Sequence, residues 1–101
     1  MNAVERLWRA LAGGDWDAAR AQFRANATVE WPHEGARLDV DEYLARIRSQ
    51  AVAHIEVRRV VTEGRYVAVE AQAGPARCAA VYDLHDGLIV SGTEYWVGEA
   101  A

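Results

Sequence analysis

The chain is short of the features that mark several large functional classes. One cysteine, Cys78, rules out an internal disulfide and fits a reducing compartment. No run approaches the ~18 apolar residues that span a bilayer, so no membrane partner is expected. Glu5, Arg6 and Arg9 interrupt the apolar N-terminal stretch and leave no signal-peptide core, so the expected location is cytoplasmic. Arginines are scattered rather than striped, and the net charge is −4 with a pI near 5.3. Nucleic acid is therefore not an expected partner. There is no glycine-rich phosphate loop and no metal-ligand spacing among His33, His54 and His85. Neither a metal nor another cofactor is expected. Repeats and low-complexity segments are missing too.

What remains describes an ordinary globular domain. The 101 residues are 51% hydrophobic and 26% charged, and are read as one domain, 1–101. A chain of this length buries roughly 60–70% of its unfolded surface, enough for a core without covalent staples.

The clearest local signal is the stretch from Arg77 to Val97. Two runs rich in β-branched and aromatic residues flank His85-Asp86-Gly87, and Asp-Gly between such runs marks a hairpin. A three-residue loop with Leu84 opposite Leu88, closed by a type I turn and a glycine bulge, is the expected geometry. Alternation then assigns faces. Arg77, Ala79, Val81 and Asp83 share one row, and Cys78, Ala80, Tyr82 and Leu84 the other. The uncharged row is the expected interior, and it shares its face with Val90, Gly92, Glu94 and Trp96. One carboxylate, Glu94, then stands among aromatic and small residues.

Upstream, Val4, Leu7, Trp8 and Leu11 recur at helical spacing until Gly13-Gly14. Asp15 caps a second helix running to about Arg24, burying Trp16, Ala19 and Phe23. Ala27 to Trp31 reads as a strand stopped by Pro32. The polar turn His33-Glu34-Gly35 leads to a third helix capped by Asp39, with Tyr43, Leu44 and Ile47 as its stripe. From His54 the chain turns β-rich: His54–Thr62, Tyr66–Ala73, then the hairpin. Early helices and late antiparallel strands predict an α+β fold, a curved antiparallel sheet wrapped around N-terminal helices. In Tyr66–Ala73 both rows carry apolar residues, as expected of a sheet covered on both faces. Helices cover one, and a second subunit is the expected cover of the other. The homodimer face is assigned to Val67, Val69, Ala71, Val81, Thr93 and Tyr95.

The order of these segments resembles the nuclear transport factor 2-like (SnoaL-like) superfamily over nearly the whole chain. The likeness is carried by Gly14-Asp15-Trp16-Asp17, by Ala27 through Pro32, by Gly64 through Glu70, and by Asp86 through Val90 with Thr93 through Trp96. It implies a cone-shaped, cystatin-like α+β barrel with a ligand pocket at its mouth, usually dimeric through the outer sheet face. The superfamily includes cofactor-free isomerases, cyclases and dehydratases alongside binding modules. The isomerase machinery is not carried over. Its base position is Trp31 here, its oxyanion tyrosine Leu7 and its oxyanion aspartate Ala80. The resemblance does place Trp31, Glu70, Tyr82, Glu94 and Trp96 toward the cavity.

The candidate catalytic residues are accordingly Glu94, Glu70 and Tyr82. Both carboxylates are expected on one face, roughly 10 Å apart at the backbone. A carboxyl among aromatics has its charged form desolvated, which raises its pKa and suits acid–base work. The plainer alternative pairs one or both with Arg37, Arg65 or Arg77. Tyr82 either donates to a ligand carbonyl or fills the cone. The candidate ligand-binding residues are Trp8, Trp31, His33, Tyr43 and Trp96, an aromatic wall for a small apolar ligand with His33 at its mouth. The aromatics are also ordinary core fillers, and a loop histidine such as His33 is more often simply solvated. Two function classes follow: small-molecule binding without turnover, and isomerisation, cyclisation or dehydration of a small apolar carbonyl compound.

Overall fold

A computed structural model describes residues 1–50 and 54–98. Helix α1 (Ala3–Gly13) opens on a capping box: the Asn2 side chain accepts from the Glu5 N–H while Glu5 accepts from the Asn2 N–H. Gly14 ends it in the left-handed region, φ 69°, as its lack of a Cβ permits. Asp15 caps α2 (Trp16–Arg20), accepting from the Ala18 N–H at 3.1 Å. This helix is shorter than its periodicity predicts. Phe23 leaves it to begin strand β1 (Phe23–Trp31), where its ring meets Tyr43 edge-on at 5.7 Å. Tertiary packing of one aromatic overrides a helical spacing that Trp16, Ala19 and Phe23 satisfy equally well.

After one 3₁₀ turn at Pro32–Glu34, a short strand β2 (Ala36–Asp39) replaces the loop expected there and pairs antiparallel with β1. Asp39 then caps α3 (Val40–Ser49) in a second capping box with Glu42. Four strands complete the chain as a meander: β3 (Ile55–Glu63), β4 (Tyr66–Ala73), β5 (Ala76–His85) and β6 (Leu88–Val97). The sheet order is β2-β1-β6-β5-β4-β3. The expected α+β architecture, helices against one face of a curved sheet, is the one found. Two details differ. The β1–β6 pairing is parallel, so the sheet is mixed, and it is open rather than closed into a barrel.

The core lies between the helices and the concave face. Val4, Leu7, Trp8 and Leu11 of α1 and Tyr43, Leu44 and Ile47 of α3 meet Val29 and Trp31 of β1, Val67 and Val69 of β4, and Cys78 and Tyr82 of β5. This corrects the assigned homodimer face. Val67, Val69 and Ala71 point inward, because they pair with Tyr82, Ala80 and Cys78. Outside stand Tyr66, Val81 and Tyr95, each about half exposed.

The β5–β6 turn also differs in detail. It is a two-residue turn in which Asp86 and Gly87 both take positive φ, 50° and 78°, with His85 opposite Leu88. That shifts the pairing by one residue from the expected three-residue loop. A bulge shifts it back: Leu84 pairs with Ile89 and Asp83 with Ser91, so Val90 is the extra residue. Ile89, not Val90, is therefore the buried residue beside the turn. Beyond the bulge the expected faces hold, with Tyr82 opposite Gly92, Ala80 opposite Glu94 and Cys78 opposite Trp96.

Candidate functional site

Glu94 is the one charged side chain buried among the described residues, at 0% exposure. An ionised carboxylate offers about four lone-pair positions, and here four side-chain donors occupy them. The Trp31 and Trp96 indole N–H groups donate to Oε1 at 3.0 and 3.1 Å. The Tyr43 hydroxyl donates to Oε2 at 2.8 Å, and the Tyr82 hydroxyl to the same oxygen. An indole nitrogen can only donate, so the direction of the bonds to Oε1 is fixed by chemistry. A further link extends the network, with Trp8 Nε1 donating to the Tyr82 hydroxyl oxygen at 3.1 Å.

Each donor comes from a different part of the chain. Trp8 lies on α1, Trp31 ends β1, Tyr43 lies on α3, Tyr82 on β5, and Trp96 follows Glu94 by two residues on the same face of β6. Trp8, Trp31, Tyr43 and Tyr82 are all buried, and no buried side-chain polar atom among the described residues lacks a partner. The interior expected to be a cavity is thus filled around Glu94 by the very aromatics expected to line it.

Burial raises the Glu94 pKa above its ordinary value; the four hydrogen bonds, led by that from Tyr82, oppose the shift without cancelling it. Burial, reinforced by the Glu94 charge, holds the Tyr43 and Tyr82 phenols far above their usual range, so both remain donors. Burial also pushes the Cys78 thiol up, which leaves it an unreactive core residue.

The other candidates fall elsewhere. Glu70 was expected in the cavity beside Glu94; it projects from the opposite face and pairs with Arg59 at 3.5 Å. The reason is register: Glu70 lies opposite Ala79, itself opposite Tyr95, all on the convex side. Nor is its partner one of the arginines singled out from the sequence. His33 sits on the 3₁₀ turn, with its ring 5.5 Å from Trp31 and Nε2 3.7 Å from the Glu34 carboxylate. It covers Trp31 from outside, as does Arg46, whose guanidinium lies 5.8 Å from the Trp31 ring and 2.5 Å from Glu34. Among the described residues, no cluster of histidine, cysteine and carboxylates is arranged to hold a metal. No helix among the described residues is long and apolar enough to cross a membrane.

A site the sequence reading missed lies between α1 and the β3–β4 edge. It is a cleft of about 290 Å³ walled by Ile55, Val57 and Val60, backed by the buried Trp8 and Val69, with Met1, Glu5, Arg9 and Ala12 along its helical rim. Its one sequence signal was Arg58-Arg59, which breaks the alternation of β3. The pairing slips there, between Val57 and Arg59, so Val57 and Val60 both reach the cleft.

Comparison with known proteins agrees with this architecture. Residues 4–92 match the model of the SnoaL-like domain. No curated protein matches the chain. Among solved structures, an NTF2-like protein of unknown function from Burkholderia xenovorans LB400 is 27% identical, with a TM-score of 0.78 over 96% of this chain and 81% of that one. An LEH-like epoxide hydrolase of M. tuberculosis is 21% identical, with a TM-score of 0.71 over 94% and 80%. A Catenulispora acidiphila protein with a ketosteroid isomerase-like fold, solved in complex with trimethylamine, is 19% identical, with a TM-score of 0.74 over 92% and 83%. At identities this low the last two likenesses speak for the fold. With the family model spanning most of its length, the chain belongs to the SnoaL-like domain family of the nuclear transport factor 2-like superfamily.

Proposed function

We propose that this SnoaL-like domain binds a small apolar molecule in the cleft between α1 and the β3–β4 edge, with Ile55, Val57 and Val60 as the contact surface. The saturated state of Glu94 carries the reading. A carboxylate with every lone pair occupied by protein donors, and no exposed surface, has no position left for a substrate. The cleft, by contrast, offers an apolar floor and walls at the small end of ligand-pocket volumes, which start at roughly 300 Å³. Trp8 backs it from the core, where its N–H is engaged by Tyr82, so the wall behind the cleft is rigid. The test is titration with small apolar ketones and alcohols, followed by calorimetry and tryptophan fluorescence. Saturable binding that Ala12→Trp abolishes supports the cleft. Ala12 is exposed on a helix, so this variant keeps the fold. Binding unaffected by Ala12→Trp and by Val60→Trp would place the ligand elsewhere.

The acid–base alternative has one observation in its favour, the raised carboxyl of Glu94 beside the donor Tyr82. In that reading Glu94 moves a proton and Tyr82 polarises a carbonyl, which requires both to be released from their present partners. Hydrogen–deuterium exchange next to the carbonyl of simple ketones tests it. Faster exchange with wild type than with Glu94→Gln would favour chemistry over binding.

The outer face is also assigned a partner, a second copy of the chain. Tyr66, Val81 and Tyr95 expose apolar surface on neighbouring strands, a patch that invites association. Sedimentation at micromolar concentration should give a dimer, and Tyr95→Lys with Val81→Lys a monomer. A monomeric wild type would rule the assignment out.

A further inference from the structure

From the charge on the cleft's rim we infer that its ligand carries a carboxylate: the site takes an apolar acid, with the tail against Ile55, Val57 and Val60 and the anionic head at Arg9. This rests on the cleft reading above and specifies its chemistry.

Five arginines are already committed to carboxylates. Arg20 pairs with Asp41, Arg24 with Asp86, Arg46 with Glu34, Arg59 with Glu70 and Arg65 with Asp83. On α1 itself, Arg6 is engaged by the Gln22 side chain and the Met1 carbonyl. Arg9, one turn further along, has no carboxylate within ion-pair distance among the described residues, yet it stands on the rim of a largely apolar depression. A guanidinium beside an apolar wall is suited to a carboxylate, which accepts its paired N–H groups in parallel. Met1 and Glu5 share the rim with Arg9, and of these the Glu5 carboxylate repels an anion. Glu5 Oε1 is tied to the Asn2 N–H in the capping box at 3.1 Å, at the opening turn of α1. The Arg9 side chain is exposed and long enough to hold an acid toward the Ala12 end, one turn from Glu5. The tail then lies along Ile55, Val57 and Val60.

The probes are octanoate, octanamide and octanol, which share a tail and differ in the head, each titrated below its aggregation concentration. Octanoate should bind about tenfold more tightly than octanol or octanamide, the ratio expected of one charge-assisted contact at a partly exposed site. Arg9→Gln should abolish that preference, so that octanoate and octanol bind the variant equally. Raised salt should weaken octanoate alone. Equal binding of all three probes, or a preference for octanoate that survives Arg9→Gln, would overturn the inference while leaving the cleft intact. Octanamide binding most tightly would also overturn it, and would point to a head shared between Arg9 and Glu5. Binding of all three that persists in both Ala12→Trp and Val60→Trp, or no binding of any, would overturn the cleft reading and this inference with it.

Discussion

The Tyr43 hydroxyl donates to Glu94 Oε2 at 2.8 Å, tying the third helix to the last strand across the core. Truncating Glu94 therefore affects the whole interior. Glu94→Ala strands three buried donors and the partly buried Trp96 N–H, and should cost at least ~3 kcal/mol. Glu94→Gln keeps an oxygen for the two indoles but places an amide opposite two phenols that now donate. Tyr82 already accepts from Trp8, so at least one phenolic hydrogen is left without an acceptor. The expected cost is about 1–3 kcal/mol. Denaturant unfolding at pH 7 gives both values, and a Gln variant as damaged as the Ala variant would contradict this account.

The pH dependence has a definite sign. Burial raises the folded pKa of Glu94 above the ordinary 4.5, so between that value and the folded pKa the native state binds more protons than the unfolded state. Stability is greatest below this window and falls as pH rises through it. Melting temperatures across the acid range should fall more steeply with pH in wild type than in Glu94→Gln. A wild-type curve that rises relative to the variant over the same range would mean that the four donors outweigh burial.

Gly92 is where the network meets the backbone. A Cβ there would lie 2.5 Å from Tyr82 Cδ1 and 2.9 Å from Cε1. Gly92→Ala must displace the Tyr82 ring and with it the bond to Glu94, at an expected cost of about 1–3 kcal/mol. In a Tyr82→Ala background the same substitution should cost far less. A double-mutant cycle measures that coupling, and additive effects would separate Gly92 from the site.

Glu70 predicts the opposite behaviour. Its contact with Arg59 is exposed, and such pairs are worth little. Glu70→Gln should change stability by less than ~0.5 kcal/mol and leave ligand binding untouched.

The contrast between the two glutamates shows where the sequence was informative. Tyr82, Glu94 and Trp96 were legible because Arg77 and Asp83 mark one row of β5 as outward, and the hairpin carries that assignment to β6. In β4 both rows hold apolar residues, Tyr66 and Ala68 on one side and Val67 and Val69 on the other. Nothing local decides between them, and the inward side is set only by pairing with β5. The shift of Phe23 from helix to strand and the parallel β1–β6 contact are likewise settled by distant partners. The α1 cleft joins residues some fifty positions apart, beyond the reach of periodicity. What the alternation could not convey was that Glu94 would be enclosed rather than presented.

The tight turn at Asp86-Gly87 and the bulge at Val90 act together like a frameshift and its suppressor. Each alone would exchange inside for outside along β6, carrying Ser91, Thr93 and Tyr95 into the core and Glu94 into solvent. Only the pair restores the phase. Relatives that insert or delete one residue in this turn should therefore lose or gain one at the bulge as well, and a lone deletion of Val90 should yield a chain that cannot assemble its core.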